Sequence, residues 1–439
     1  MPVAHATAVR TSAILLGLVA AVSGLARGNP IPGIRLSELL IVVVGLGVLA
    51  TVRGPRMDLV DYGAFAYCGA TLVLGALDLL GLRAGWVTFD GVQTLGGPLL
   101  FLLLYRACRV LLTADRDVRI VLRVALLSAI PVGLWAVAQA LDLGPSRSWA
   151  VSWAGDDQFS ALEDLGLGRA TGPFGHPHTL GAYLVVITLV AVALVLRPGQ
   201  QVLRHRWLLA ILVCCAGGFA ASATAAPALA ALAGTVWLGV RAGQGRRVLV
   251  AAVAVTAIAA LAAAPLIADR VRQQFDPAFD GAAQSSLVPQ TIRHRADVWW
   301  HDYRPALRGH WLSGWGPGVP NGVAYPFTES LYVTLLVRGG VLLLLVYGAF
   351  VWIVVVALRS RSGSDPPERA ATAGALAVAT VLFVPLHLLE PYFVTTGMPH
   401  LWWALLGLAM AAPRASHQSS DRRSSISPST SANAGGELR

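Results

Sequence analysis

The chain has 439 residues, 56% of them hydrophobic and 13% charged, with a mean hydropathy of +0.64. Soluble domains carry about 25% charged residues, so this composition excludes an ordinary soluble enzyme or a disordered chain and implies a polytopic membrane protein. The net charge of +10 rests on 33 arginines and no lysine, which excludes a lysine-dependent phosphate loop and Schiff-base chemistry.

The expected fold class is all-α, with about twelve membrane helices. Their apolar cores lie at 11–26, 36–52, 59–80, 92–112, 118–141, 178–196, 207–222, 225–240, 248–268, 330–357, 370–389 and 398–412. Crossing about 30 Å of hydrocarbon takes about 20 apolar residues, so the seventh and eighth are short, with a break near Ser222–Pro227. Arg204 and Arg206 before that pair and Arg241, Arg246 and Arg247 after it fit two crossings. Arg10 and the first apolar run have the outline of a signal peptide. Ser23 and Gly24 make no cleavage site of the usual small-residue kind, and more membrane segments follow, so the run is read as a span. With the N-terminus inside, 20 of the 33 arginines fall in inner segments, while the short outer loops hold Arg27, Arg35 and Arg83. That bias places both termini in the cytoplasm and the chain in the cell membrane. Residues 1–412 form one helical domain, and the Ser- and Arg-rich tail 413–439 is expected to be disordered. Cys68, Cys108, Cys214 and Cys215 fall in or beside spans and read as small apolar filler.

Two loops, about 141–177 and 269–328, are long and lie on the outer face in this topology. Their content of Trp, Tyr, His and Arg predicts a folded cap over the bundle. The first ends in Arg169-Ala-Thr-Gly172-Pro-Phe-Gly-His176-Pro-His178, a compact irregular turn ahead of a helix. His176 and His178 lack a third ligand at metal spacing, so no metal and no cofactor is expected. This lip is either a polar entrance for an anion or an interfacial loop with snorkelling tips.

In the second loop, a helix through Ile292–Arg304 puts Arg295, Trp299 and Asp302 on one face and Asp297, His301, Arg304 and Arg308 on another. Arg293 and Asp297 are spaced to pair, and Pro305 is expected to end or kink the helix. Gly314-Trp315-Gly316-Pro317-Gly318 suits a loop passing close to a ligand or to another backbone. Glu329 opens the tenth segment, and Arg338 lies two to three turns deeper. An arginine at membrane depth is costly and marks a functional site; Glu390 or a lipid phosphate is its expected partner.

These residues carry a family resemblance. Arg169-x-x-Gly172-x-Phe174-x-His176-Pro177-x-x-Leu180-Gly181-x-Tyr183, Arg295-x-x-x-Trp299, Gly314-x-Gly316-x-Gly318 and Ser330-Leu331-Tyr332-x-x-Leu335-x-x-Arg338-Gly339-Gly340 are similar, in order and spacing, to motifs of the O-antigen ligase and Wzy-type O-antigen polymerase superfamily of bacterial envelope glycosyltransferases. The resemblance covers about 165–340 in motifs and most of the chain in architecture. Two positions depart from it. Glu329 stands where ligases of the family have a histidine, and Ser222-Ala223-Thr224 stands where many members carry Ser-Arg. Both favour a polymerase over a ligase.

The resemblance implies polysaccharide biosynthesis by metal-independent transfer of a glycan from a polyprenyl-diphosphate carrier to an acceptor hydroxyl on a glycan or lipid at the outer face. A flippase and a chain-length regulator are possible partners, and no nucleic acid is. Arg169, Arg295 and Arg338 are then expected on the diphosphate and Glu329 as general base, with His176 and His178 as second choices. Arg293, Trp299, Gly316 and Tyr332 complete the expected substrate surface. The alternatives are ligase-type transfer of a finished glycan, a transporter of an anion or lipid-linked sugar, and a structural subunit. A transporter is expected to show repeated halves, and the sequence shows none.

Overall fold

The computed structural model describes residues 36–412 apart from 53, 80–88, 155–168, most of 263–287, 321, 326, 364–365 and 395–396. The expected first span at 11–26, the acidic stretch 156–164 and the tail from 413 lie outside the described residues. Among the described residues all regular structure is helical.

In chain order the helices are α1 Leu36–Thr51, α2 Leu59–Leu79, α3 Phe89–Leu111, α4 Asp115–Leu127, α5 Ala129–Ala140, α6 Ser146–Ala154, α7 Pro177–Leu196, α8 His205–Ser222, α9 Ala225–Arg241 and α10 Gly245–Ala262. After these come α11 Gln290–Asp297, α12 Leu331–Arg361, α13 Pro367–Leu386 and α14 Met398–Met410. Among the described residues, six stretches are long and apolar enough to cross a membrane: Leu59–Leu77, Asp115–Ala140, Pro177–Leu196, His205–Ser222, Leu331–Arg361 and Pro367–Leu386. Three further apolar helices are shorter, at Glu38–Ala50, Ala225–Arg241 and Met398–Met410.

Helix α7 is apolar on every side and almost wholly buried, as befits a helix at the centre of a bundle. It packs against α8, α9, α13 and α14. Chain turns gather at the two ends of the bundle. At one end, Ala170 N–H donates to Ala221 O (3.0 Å) and Leu331 N–H to His387 O (2.9 Å). At the other, the Arg369 guanidinium, 4% exposed, donates to Leu112 O (2.9 Å), Thr113 O (3.0 Å) and Ala411 O (3.0 Å). One arginine thereby satisfies carbonyls left open where α3 and α14 end. Near it, Glu368 accepts from Gln201 N–H (3.1 Å) and pairs with Arg119 (3.7 Å).

Two apolar runs that the sequence presents as continuous are interrupted. The run 118–141 divides at Ser128 into α4 and α5. The long tenth segment breaks at Gly340, whose φ of 65° and ψ of −162° leave the helical region. The cause is an inserted loop. Val337 O, which would accept from Val341 in a continuous helix, accepts instead from Trp315 N–H (2.6 Å) and Gly316 N–H (3.0 Å). Val341 N–H turns to Trp311 O (2.8 Å) and Leu342 N–H to Leu312 O (3.2 Å). Four hydrogen bonds to the inserted loop thus bridge the break, which is what lets a kink persist. Of the two readings of the glycine-rich run, close approach to another backbone is the one observed.

A Cβ on Gly340 would lie 2.3 Å from Leu312 C and O at a positive φ. Gly340→Ala is therefore expected to cost about 3 kcal/mol or more, from strain together with overlap. The measurement is folded yield and thermal unfolding in detergent, beside Gly348→Ala on the same helix. Gly348 has no atom within 4 Å of a built Cβ, so its substitution is expected to be neutral or mildly stabilising.

Candidate functional site

The site lies at the bundle end where Ala170 pairs with Ala221. Four segments supply it: the turn before α7, the α8–α9 break, the stretch from α11 to the start of α12, and the loop after α13.

The turn before α7 is held from below. Gln139 near the end of α5 accepts from Thr171 N–H (3.2 Å) and Gly172 N–H (2.7 Å) through its side-chain oxygen. Arg169 Nε donates to Ser222 O (3.0 Å), and the Ser222 and Thr224 hydroxyls bond at 2.8 Å across Ala223, which sits at φ 47°. His176 and His178 stack at the lip with ring centroids 5.3 Å apart.

In the third segment the face read from spacing is the observed one. Arg295 Nη2 reaches Glu329 Oε2 at 3.3 Å, Trp299 Nε1 donates to Thr328 O (2.7 Å), and the Asp302 carboxylate accepts from Tyr325 N–H (3.1 Å). Val298, Tyr303, Leu307 and Val337 make a small core of their own beneath it. Pro305 does not end the helix where it stands. A π-turn, Val298–Tyr303, precedes it, with Arg304 N–H donating to Trp299 O. One helical turn, Arg304–Ala306, then follows. Widening the turn accommodates the proline ring, which has no N–H to donate. The opposite face carries an exposed Asp297–His301 pair at 2.7 Å and Arg304 stacked 3.9 Å over the Trp300 ring. Asp297 thus pairs with His301 rather than in the Arg293–Asp297 pair that spacing allowed.

Glu329 carries the most telling backbone feature. Its φ is 54°, uncommon for a residue with a side chain and worth about 1–2 kcal/mol of strain. The next residues fix it there, because Ser330 Oγ and Leu331 N–H both donate to His387 O. The Glu329 carboxylate accepts from Tyr325 Oη (3.0 Å) as well as meeting Arg295. Burial and the neighbouring Glu329 carboxylate raise the Tyr325 phenol above its usual range, so it remains a hydrogen-bond donor.

The residue that sequence reasoning did not assign here is Glu390. It was a candidate partner for Arg338, yet it lies 3.9 Å from Arg295 Nη2 and 3.9 Å from His176 Nδ1, with 8% of its surface exposed. Burial first, then the Glu329 carboxylate, push its carboxyl up to about 8, against the opposing pull of Arg295 and Arg169. The His176 ring is held below the usual histidine range, by burial first and then by repulsion from Arg169 and Arg295. A carboxylate in the apolar stretch Leu386–Tyr392 was the available signal, since a buried charge requires a partner.

Arg295, 8% exposed, keeps a buried Nε with no acceptor among the described residues. Arg169, His176, His178, Arg295, Trp299 and Glu329 therefore stand at this end with Glu390 and Tyr325. Arg338 does not join them. The charged groups acting on Glu390 are Glu329, Arg295 and Arg169. The Arg338 guanidinium instead lies within electrostatic reach of Tyr67 on α2, the helix against which α12 packs. Tyr332 donates to Val384 O (2.5 Å) on α13, and Gly316 serves the α12 break through its N–H. Arg293, half-buried, is two residues before Arg295, a spacing that directs the two side chains to different helix faces.

A cluster of two guanidiniums, two carboxylates and a phenol can bind an anionic group through the arginines and accept a proton on a carboxylate. Among the described residues no group of three or more metal-ligating side chains occurs. No protein-family model matches the chain, and neither does any curated protein.

Proposed function

We propose that this cluster of side chains serves the transfer of a glycan from a polyprenyl-diphosphate carrier to an acceptor hydroxyl, joining polysaccharide repeat units at the outer face of the cell membrane. The observation that carries the reading is Arg295, nine-tenths buried with an unfilled donor, next to Glu329 in a strained backbone position. Strain of that kind is concentrated where a site needs a fixed geometry. Arginine forks match diphosphate oxygens. The described arginine clusters of α3, α4, α8–α10 and α12–α13 lie at the opposite end of the bundle, which supports a cytoplasmic assignment for that end. A twelve-span topology with both termini inside is part of this proposal.

In the reaction, the acceptor oxygen attacks the anomeric carbon of the donor sugar. The bond from that carbon to the diphosphate breaks, and its electron pair leaves on the diphosphate, facing Arg295 and Arg169. Glu329 takes the hydroxyl proton. Tyr325 and Arg295 hold its carboxylate in place from two sides.

Glu329→Gln keeps the shape and removes the base. In a strain lacking the chromosomal copy, this variant is expected to insert at wild-type level and to lower long-chain surface polysaccharide by about 100-fold or more, the usual scale for a general base. Wild-type chain lengths from Glu329→Gln would remove Glu329 from the role.

A further inference from the structure

One guanidinium nitrogen of Arg295 serves two carboxylates. Its Nη2 lies 3.3 Å from Glu329 Oε2 and 3.9 Å from Glu390 Oε2. Glu329 has the better claim, with Tyr325 Oη as a second donor at 3.0 Å. Among the described residues, the cations nearest Glu390 are Arg295 and His176, each at 3.9 Å, and its side chain is 10% exposed. Two carboxylates sharing one guanidinium compete for it, and the neighbouring Glu329 disfavours the charged form of the more deeply buried Glu390. The groups facing Glu390 are Arg169 and His176 from the turn before α7, Arg295 from α11, Tyr325 and Glu329 ahead of α12, and Tyr392 on its own loop. With Glu390 protonated, the Arg295 guanidinium faces one carboxylate, Glu329. With Glu390 ionised it faces two that compete for the same Nη2, and its charge is no longer available to an anion.

We infer that Glu390 is a proton-controlled gate on the anion site: protonated, it leaves Arg295 able to take a diphosphate, and ionised, it claims that guanidinium and displaces the donor. The inference rests on the diphosphate reading above. Its sign follows from the raised carboxyl, about 8. Donor affinity is level below that value and falls as pH rises through it. His176, held below the ordinary histidine range, stays neutral through this window. Glu390 here is a gating residue, since it acts on the donor through Arg295.

The test uses the full chain in lipid nanodiscs, with farnesyl diphosphate as a prenyl-diphosphate probe, from about pH 6 to about pH 10. The wild type is expected to weaken about tenfold per pH unit above the midpoint, the slope of a single proton. Glu390→Gln is expected to bind as the wild type does at low pH and to hold that affinity across the range. The wild-type to variant difference removes any ionisation of the probe itself. Infrared difference spectra of the wild type alone provide a second readout, independent of whether Glu390→Gln folds. A protonated carboxyl present at neutral pH is expected to vanish with the same midpoint as the affinity. Binding that is level with pH, a variant that weakens in parallel with the wild type, or a carboxyl midpoint apart from the binding midpoint overturns the gate and leaves the diphosphate reading standing. No binding of the probe by wild type at any pH overturns the diphosphate reading, and the gate falls with it.

Discussion

Arg295→Ala is expected to lower glycan transfer by about 100-fold to 1,000-fold while the protein still reaches the membrane. The magnitude is that of removing a preorganised electrostatic donor, about 3–4 kcal/mol of transition-state stabilisation. Two losses combine here. The diphosphate leaving group loses its most buried cation, and Glu329 loses a partner at 3.3 Å that orients it. Arg295→Lys retains charge but not the planar fork, so an intermediate loss is expected. Arg338→Ala is the informative comparison. Its guanidinium lies by Tyr67 and is not among the charges acting on Glu390, so its effect on transfer is expected to stay under about tenfold, the behaviour of a site without shared partners. Chain-length analysis of surface polysaccharide, normalised to membrane protein level, checks both. Near-wild-type chains from Arg295→Ala contradict the assignment.

The largest expected effect on stability lies at the opposite end of the bundle. Asp58 caps α2, accepting from Val60 N–H (3.0 Å) and Asp61 N–H (3.2 Å), while its own N–H donates back to Asp61 (2.9 Å). This reciprocal arrangement closes the first turn of the helix. Arg109 on α3 then joins Asp58 at 2.7 Å, the wholly buried Asp61, and Tyr105 Oη at 3.0 Å, and Arg106 meets Asp61 at 2.7 Å. Replacing such a pair by apolar residues is often harmless, but removing one partner of a buried pair costs about 3–5 kcal/mol; Asp61 keeps Arg106 at 2.7 Å and Asp58 is partly exposed, which places Arg109→Ala at the lower end of that range. Arg109→Ala is expected to lower folded yield sharply and to reduce the thermal midpoint in detergent. Arg109→Lys is expected to recover part of it, because one ammonium cannot serve Asp58, Asp61 and Tyr105 together. An unchanged midpoint in Arg109→Ala would show that the network contributes little.

Much of the helical architecture is legible from hydrophobicity alone, because a run such as 178–196 has no other stable form in an apolar environment. The structure puts α7 at Pro177–Leu196. The Arg295, Trp299 and Asp302 face was legible too, since helical spacing is a local property, and each of the three finds its partner within 325–329. The break at Gly340 was not. Its cause is a loop some 25 residues earlier in sequence that takes over the hydrogen bonds of Val337 and Val341, although Gly339-Gly340 in an over-long apolar run was a local hint. Glu390 was misassigned for a related reason. Sequence shows a carboxylate in an apolar stretch and an arginine at depth and invites pairing them, whereas chain folding delivers Arg295 and Arg169 to Glu390 instead. Pairing between distant segments depends on the bundle, which no local pattern encodes.

The most direct measurement is the lipid-linked glycan pool and the surface polysaccharide of a strain lacking this gene, with and without the wild-type chain restored. Polymerisation of lipid-linked repeat units by this protein predicts loss of long surface chains, with single repeat units accumulating on the lipid carrier, and full reversal by the wild type. Unchanged surface chains together with an unchanged lipid-linked pool would contradict glycan transfer and bring a transport role forward.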